Sequence, residues 1–189
     1  VLESVEEAGL GDRYCLDFLS QFHVNEGLLV GSSAQALFLI HSETIPSSFV
    51  PPRPFRVNAG SPHSYVMMAD GSTKYMSELK AGSQLLAVDA QGNTRAAVLG
   101  RLKIEQRPML KISAAPAEEN PQSTRKNQTK QRTTVFLYSG NQNKGSAKIK
   151  VPGVIFWSES GRMTSEIVPG EDFDMLNPNL SSKTFKSFT

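Results

Sequence analysis

The sequence has 189 residues, enough for one ordinary domain or a domain with an extension. Its net charge of +2 gives no electrostatic reason for a nucleic-acid or membrane partner, and 39% hydrophobic residues allow a core that need not recruit the whole chain. A single cysteine, Cys15, excludes an internal disulfide, and no run approaches the roughly 18 apolar residues of a membrane span. No signal peptide is visible. The chain opens at Val1, in what reads as structured sequence, so the natural start and any targeting segment are expected upstream.

Residues 1–26 begin acidic (Glu3, Glu6, Glu7) and reach a short apolar segment, Tyr14 to Leu19, that reads as a strand ending in a turn at 23–27. Cys15 reads as a small buried residue, because nothing around it supplies the electropositive setting of a reactive thiol. The runs Leu28–Val30 and Ala34–Ile40 are separated by Gly31, Ser32 and Ser33, which favours strand, tight turn, strand. Pro46, Pro51, Pro52 and Pro54 make 44–54 a loop, since proline lacks an amide donor and restrains its predecessor. Phe55–Asn58 alternates as a half-buried strand does. Ser64–Met68 and Thr73–Met76 flank Asp70-Gly71, a hairpin signal. Residues 77–82 read as one turn closed by glycine and Leu85–Val88 as a strand. Asp89–Gly92 is a turn, and Thr94–Ile104 a longer strand with Gly100 as a bulge. Short strands at this spacing predict a mainly β (α+β) class: a compact β-barrel or sandwich-like domain, β-rich over about 11–112.

Beyond Ala115 the composition changes. Residues 116–150 hold seven basic and two acidic residues and are rich in Asn, Gln, Ser and Thr, with one apolar patch at Val135–Tyr138. Such a stretch buries too little apolar surface to offset its ordering entropy, so 113–189 is expected to be a divergent, loosely ordered tail. Its basic residues are not interleaved with enough aromatics for stacking on nucleic acid, which is not an expected partner. No internal repeat is present.

Three polar clusters stand close together in the chain. His41 and Glu43, two apart on a strand, share one face and can act as an acid/base pair, or Glu43 can simply orient His41. Arg53 and Arg56 match carboxylate or phosphate groups in fork geometry; structural ion pairing is the alternative. Asn58-Ala59-Gly60 permits close backbone approach to a ligand, or only a turn. His63 can serve as a base or a structural histidine. The three histidines form no metal-binding motif, and the sequence holds neither G-x-G-x-x-G nor a Walker loop, so no metal is expected and the main determinants of any nucleotide site lie elsewhere.

Six segments carry a sharper signal: Glu26–Ser32, Leu37–Glu43, Arg53–Gly60, Pro62–Val66, Tyr75–Gly82 and Val98–Pro108. In this order and spacing they resemble type II (archaeal-type) 3-dehydroquinate synthases, in their C-terminal portion, over roughly residues 11–112. Ser61-Pro62 and Ser32–Gln35 depart from the family pattern, and the sequence after Ile112 stops resembling it. The resemblance implies NAD-dependent oxidative deamination and cyclisation of 2-amino-3,7-dideoxy-D-threo-hept-6-ulosonate to 3-dehydroquinate, in aromatic amino-acid synthesis. It implies NAD as cofactor and a small amino-sugar-derived substrate as partner. It implies a plastid location in a plant and a cytoplasmic one in an archaeon. Carried to matched positions, His41, Glu43 and His63 are the expected catalytic residues, and Arg53, Arg56, Asn58 and Gly60 the expected substrate-binding ones. A truncated, non-catalytic homologue and a basic-tail binder are the alternatives.

Overall fold

The structure, a computed structural model, describes residues 2–34, 36–44, 51–89, 91–114, 132–138, 148–150, 154–158, 163–166 and 172–174, with backbone alone for Leu2 and the last four segments. No helix among the described residues is long and apolar enough to cross a membrane.

The expected mainly β architecture is found, as a ring of strands that is not a regular barrel. Six antiparallel strands hydrogen-bond round the ring: β3 (Ala36–Glu43), β4 (Arg53–Gly60), β1 (Leu2–Phe18), β8 (Thr94–Ala114), β7 (Gln84–Asp89) and β2 (Glu26–Ser33), which returns to β3. β2 also carries a hairpin of β5 (Tyr65–Met67) and β6 (Thr73–Tyr75), followed by a single 3-10 turn at Met76–Glu78. β9 (Thr133–Tyr138) pairs with the far end of β8. β11 (Val154–Ser158) adds to β3 and carries β12 (Met163–Glu166), while β10 (Lys148–Lys150) pairs β13 (Asp172–Asp174).

Local chemistry explains the turns. Asp70 Oδ1 accepts from the Ser72 amide at 2.9 Å, and Gly71 takes φ +83°, a conformation that costs glycine little. Asp89 Oδ1 likewise gathers the amides of Gln91 and Asn93 at 2.9 and 2.8 Å. Glu26 fixes the turn before β2 by accepting from the His23 amide at 2.8 Å and from Arg95 Nε at 2.6 Å.

Two strands are longer than their apolar segments indicate. β1 starts at Leu2 rather than near Tyr14, and β8 continues past Ile104 to Ala114. The acidic start of β1 lies largely exposed along β8, so it shows no apolar alternation from which a strand could be read. Gly100 is the bulge expected of it: Asp17 pairs Arg101 and Phe18 pairs Leu99, leaving Gly100 without an opposite residue.

The tail expected from residue 113 contributes a strand to the sheet. Thr133, Val135 and Leu137 alternate inward and are buried, and the last two join the main core. The remainder of 139–189 apart from the four backbone segments, and all of 115–131, lie outside the described residues. Most of the loop expected at 44–54 also lies outside them, and Arg53 and Pro54 already belong to β4.

The core fills the ring. Tyr14, Leu16 and Phe18 of β1 meet Leu28 and Val30 of β2, Phe38 and Ile40 of β3, and Val57 and Ala59 of β4. The opposite face of β2 and β3 carries a second buried cluster of Leu29, Leu37 and Leu39 with Met67 and Val88. Strands buried on both faces read as continuous apolar runs, which is why periodicity alone leaves 34–40 undecided.

Candidate functional site

Alternation sets the site on the face of the sheet opposite the main core. Between core residues, β1 places Arg13, Cys15 and Asp17 on that face. In register, Cys15 stands opposite Asn58 of β4 and Lys103 of β8, and Asp17 opposite Arg56 and Arg101. His41 and Glu43 continue the face of Leu37 and Leu39 along β3.

A continuous polar chain crosses three strands there. Arg53 Nε donates to Glu43 Oε2 at 2.5 Å, and Asn58 Nδ2 donates to Glu43 Oε1 at 2.5 Å. The Cys15 thiol in turn donates to Asn58 Oδ1 at 2.9 Å. This last contact fixes which way the Asn58 amide faces, since its oxygen is taken by a donor and its nitrogen is left for the carboxylate. Burial pushes the Cys15 thiol above its usual range, against the pull of Arg13 and Arg56, and so keeps it a proton donor.

One step along the same strands lies an ion cluster. Arg56 grips Asp17 with Nε to Oδ1 at 2.6 Å and Nη2 to Oδ2 at 2.8 Å, both residues being buried. Arg101 reaches the same Oδ2 through Nε at 2.8 Å and through Nη2. Beyond it, Arg13 pairs with Glu105 at 2.6 Å and lies over the Tyr138 ring. Of the two readings of the arginines, Arg56 takes the structural one. Arg53 is less committed: among the described residues only its Nε is engaged, and its side chain is 35% exposed.

His41 is partly buried. Its Nδ1 lies 2.6 Å from the Ser42 carbonyl oxygen, and its Nε2 is buried with no hydrogen-bond partner among the described residues. Burial lowers its pKa, an effect the bond to Ser42 only partly opposes.

His63 and Gly60 belong to a different neighbourhood. His63 is exposed, its ring edge-on to Phe136 of β9 at 5.0 Å and its Nε2 3.4 Å from Ser61 Oγ. Gly60 takes φ +118°, and a Cβ there would stand 2.7 Å from the Phe136 carbonyl oxygen. The close approach that Asn58-Ala59-Gly60 permits is made here by the protein's own β9. The expected residues therefore divide: Glu43, Arg53 and Asn58 join directly, His41 shares their face, Arg56 is occupied by Asp17, and His63 and Gly60 pack with β9.

Sequence reading missed the partners that hold this face, namely Cys15, Asp17 and Arg101. The signal for the first two is present, since Tyr14, Leu16 and Phe18 alternate with them. The partnership of Arg101 depends on a 84-residue separation that only the pairing of β1 with β8 closes.

No group of three or more His, Cys, Asp or Glu residues gathers for a metal among the described residues. The helical segment among them is a three-residue turn, so no helix N-terminus among the described residues backs a phosphate cradle.

Against known proteins, the family described as 3-dehydroquinate synthase II C-terminal domain matches residues 1–158, a span that continues past Ile112 and takes in β9. Curated relatives include a 3-dehydroquinate synthase of Methanocaldococcus jannaschii, 54% identical over 110 residues, which is 58% of this chain and 30% of the relative. One from Methanopyrus kandleri is 51% identical over 113 residues (60% of this chain, 28% of the relative). One from Nitrosopumilus maritimus is 49% identical over 115 residues (61% and 33%). No solved structure matches. The chain spans about a third of the length of the curated relatives it matches. With residues 1–158 aligned to that family, the chain belongs to the 3-dehydroquinate synthase II C-terminal domain family.

Proposed function

We propose that this chain provides part of the substrate-contacting surface of a type II 3-dehydroquinate synthase, which converts an amino-substituted hept-6-ulosonate to 3-dehydroquinate with NAD as oxidant. The observation that carries the reading is the chain Arg53–Glu43–Asn58–Cys15, built from residues inside the span 1–158 that matches the family. Two donors orient the Glu43 side chain, whose oxygens suit an ammonium or hydroxyl group of the substrate. Arg53, whose terminal nitrogens have no partner among the described residues, suits the substrate carboxylate. Asp17, paired with Arg56 and Arg101, keeps β1, β4 and β8 aligned beside them on the same face.

NAD supplies hydride acceptance when bound. Its principal contacts are assigned to the portion of the enzyme represented in the relatives outside the matched third, because the residues described here offer no phosphate cradle. The work of this chain is then binding and orientation of the substrate, whose reacting atoms must be fixed before oxidation and ring closure.

The test is a chimera in which the matched segment of this chain replaces its counterpart in the Methanocaldococcus jannaschii synthase, assayed for NADH formation from the amino-sugar substrate. Turnover is expected, with kcat/KM reduced at least about tenfold by Arg53→Met or Glu43→Gln. A folded chimera without turnover would favour a non-catalytic module. Variants as active as the parent would remove the polar chain from the site.

A further inference from the structure

The imidazole of His41 carries an unmet demand. A carbonyl oxygen cannot donate, so the 2.6 Å contact to Ser42 requires the proton to sit on Nδ1. In the neutral ring, which burial favours, Nε2 is then the unprotonated nitrogen and a hydrogen-bond acceptor, and it is buried without a partner among the described residues. Leaving such an atom unsatisfied is costly, and native structures pair nearly all of them with protein, water or a ligand.

The surroundings say what kind of group would answer it. His41 stands at a boundary on its face of the sheet. Two residues before it, Leu39 belongs to the buried apolar cluster with Leu29 and Val88; two residues after it, Glu43 begins the polar chain to Asn58 and Cys15. Opposite it on β2 is Gly27, which adds no side chain. A neutral histidine with Nδ1–H on a backbone carbonyl is also the usual form of a metal ligand, but no companion ligands gather around it among the described residues.

We infer that His41 Nε2 is the acceptor for a hydroxyl or ammonium hydrogen of a small polar ligand lying across the boundary between Leu39 and Glu43. The inference rests on the proposed function, which supplies a polyhydroxylated carboxylate as that ligand. Burial, which disfavours the imidazolium, agrees with a histidine that accepts rather than donates at Nε2.

The experiment is nitrogen-15 NMR of the full chain labelled at its three histidines, with His41 assigned by the signal lost in His41→Gln, and 3-dehydroquinate as the probe. The free protein should show His41 as the Nδ1–H tautomer at neutral pH. Adding 3-dehydroquinate should shift its Nε2 signal. His41→Phe should weaken binding at least about tenfold, and His41→Gln, which keeps an acceptor near Nε2, should recover most of the loss. An Nε2–H tautomer or an imidazolium in the free protein would overturn the inference whatever binds. If the wild type binds 3-dehydroquinate and His41→Phe binds equally well, the acceptor role is overturned while the proposed function stands. If the wild type shows the stated tautomer but does not bind the probe, the functional reading fails and the ligand assignment with it.

Discussion

Arg56 and Asp17 meet in a two-pronged ion pair between β4 and β1, with Nε 2.6 Å from Oδ1 and Nη2 2.8 Å from Oδ2, and both side chains are less than 10% exposed. The pair spans the same cross-strand register that aligns Cys15 with Asn58, so it sets the geometry of the polar chain one step away without being part of it. An arginine whose fork is closed by a buried carboxylate is poorly placed to receive a substrate anion.

Removing that arginine should therefore act on folding. Arg56→Met leaves the buried Asp17 with Arg101 alone, and the expected loss is about 3 kcal/mol, because an uncompensated buried charge is expensive. Arg53→Met, at a site one-third exposed, should cost less than about 1 kcal/mol. Urea denaturation of the two variants checks the contrast. Equal losses would show that both arginines serve the fold, and a negligible loss for Arg56→Met would show that its pairing contributes little.

The same cluster predicts a response to acid. Burial pushes the Asp17 carboxyl up, but hydrogen bonds and charge from Arg56 and Arg101 outweigh it and hold its pKa below the usual carboxylate range. With the folded value depressed, the unfolded chain binds more protons. The contribution is thus fully present above the unfolded value of about 3.9 and is lost as pH falls below it through the folded one. The wild type should lose stability more steeply below about pH 4 than Asp17→Asn does. Parallel stability profiles for the two proteins would show that Asp17 is not the group responsible.

How much of this was legible in the sequence depends on the range of the contacts concerned. The turns at Asp70-Gly71 and Asp89–Gly92 and the bulge at Gly100 rest on local chemistry, and they stand where the residues place them. Glu43, Arg53 and Asn58 lie within 16 residues of one another, and their proximity on adjacent strands could be anticipated. The Asp17–Arg101 contact and the burial of Val135 and Leu137 come from pairings between distant segments. Composition was misleading at β9, because a six-residue alternating strand is diluted by polar residues on both sides. It was equally so at the start of β1, where an exposed ribbon lacks an apolar face.

Membership of β9 in the core has a direct consequence. Leu137 is 2% exposed and packs with the main cluster, and β9 pairs from Met109 to Ala114 of β8. Leu137→Ala should destabilise by about 3 kcal/mol through lost burial and the cavity left behind. Phe136→Ala offers a control on the alternate face, where the side chain contacts His63. A Leu137→Ala protein with an unchanged denaturation midpoint would mean that the segment is dispensable to the fold.

Gly60 supplies the last test, since ligand approach and backbone approach predict different outcomes there. Its φ of +118° lies where side chains are rarely accommodated, and an added Cβ would stand 2.7 Å from the Phe136 carbonyl oxygen, which belongs to a paired strand and cannot swing away. Gly60→Ala should cost roughly 1–3 kcal/mol of strain at least, and β9 must move to relieve the overlap. Loss of hydrogen-exchange protection should then concentrate in Thr133–Tyr138 and in the β8 residues paired with them. If Gly60→Ala instead folds as stably as the parent and only ligand binding declines, the glycine is there for the substrate. The close passage of β9 would then not be the reason that this position lacks a side chain.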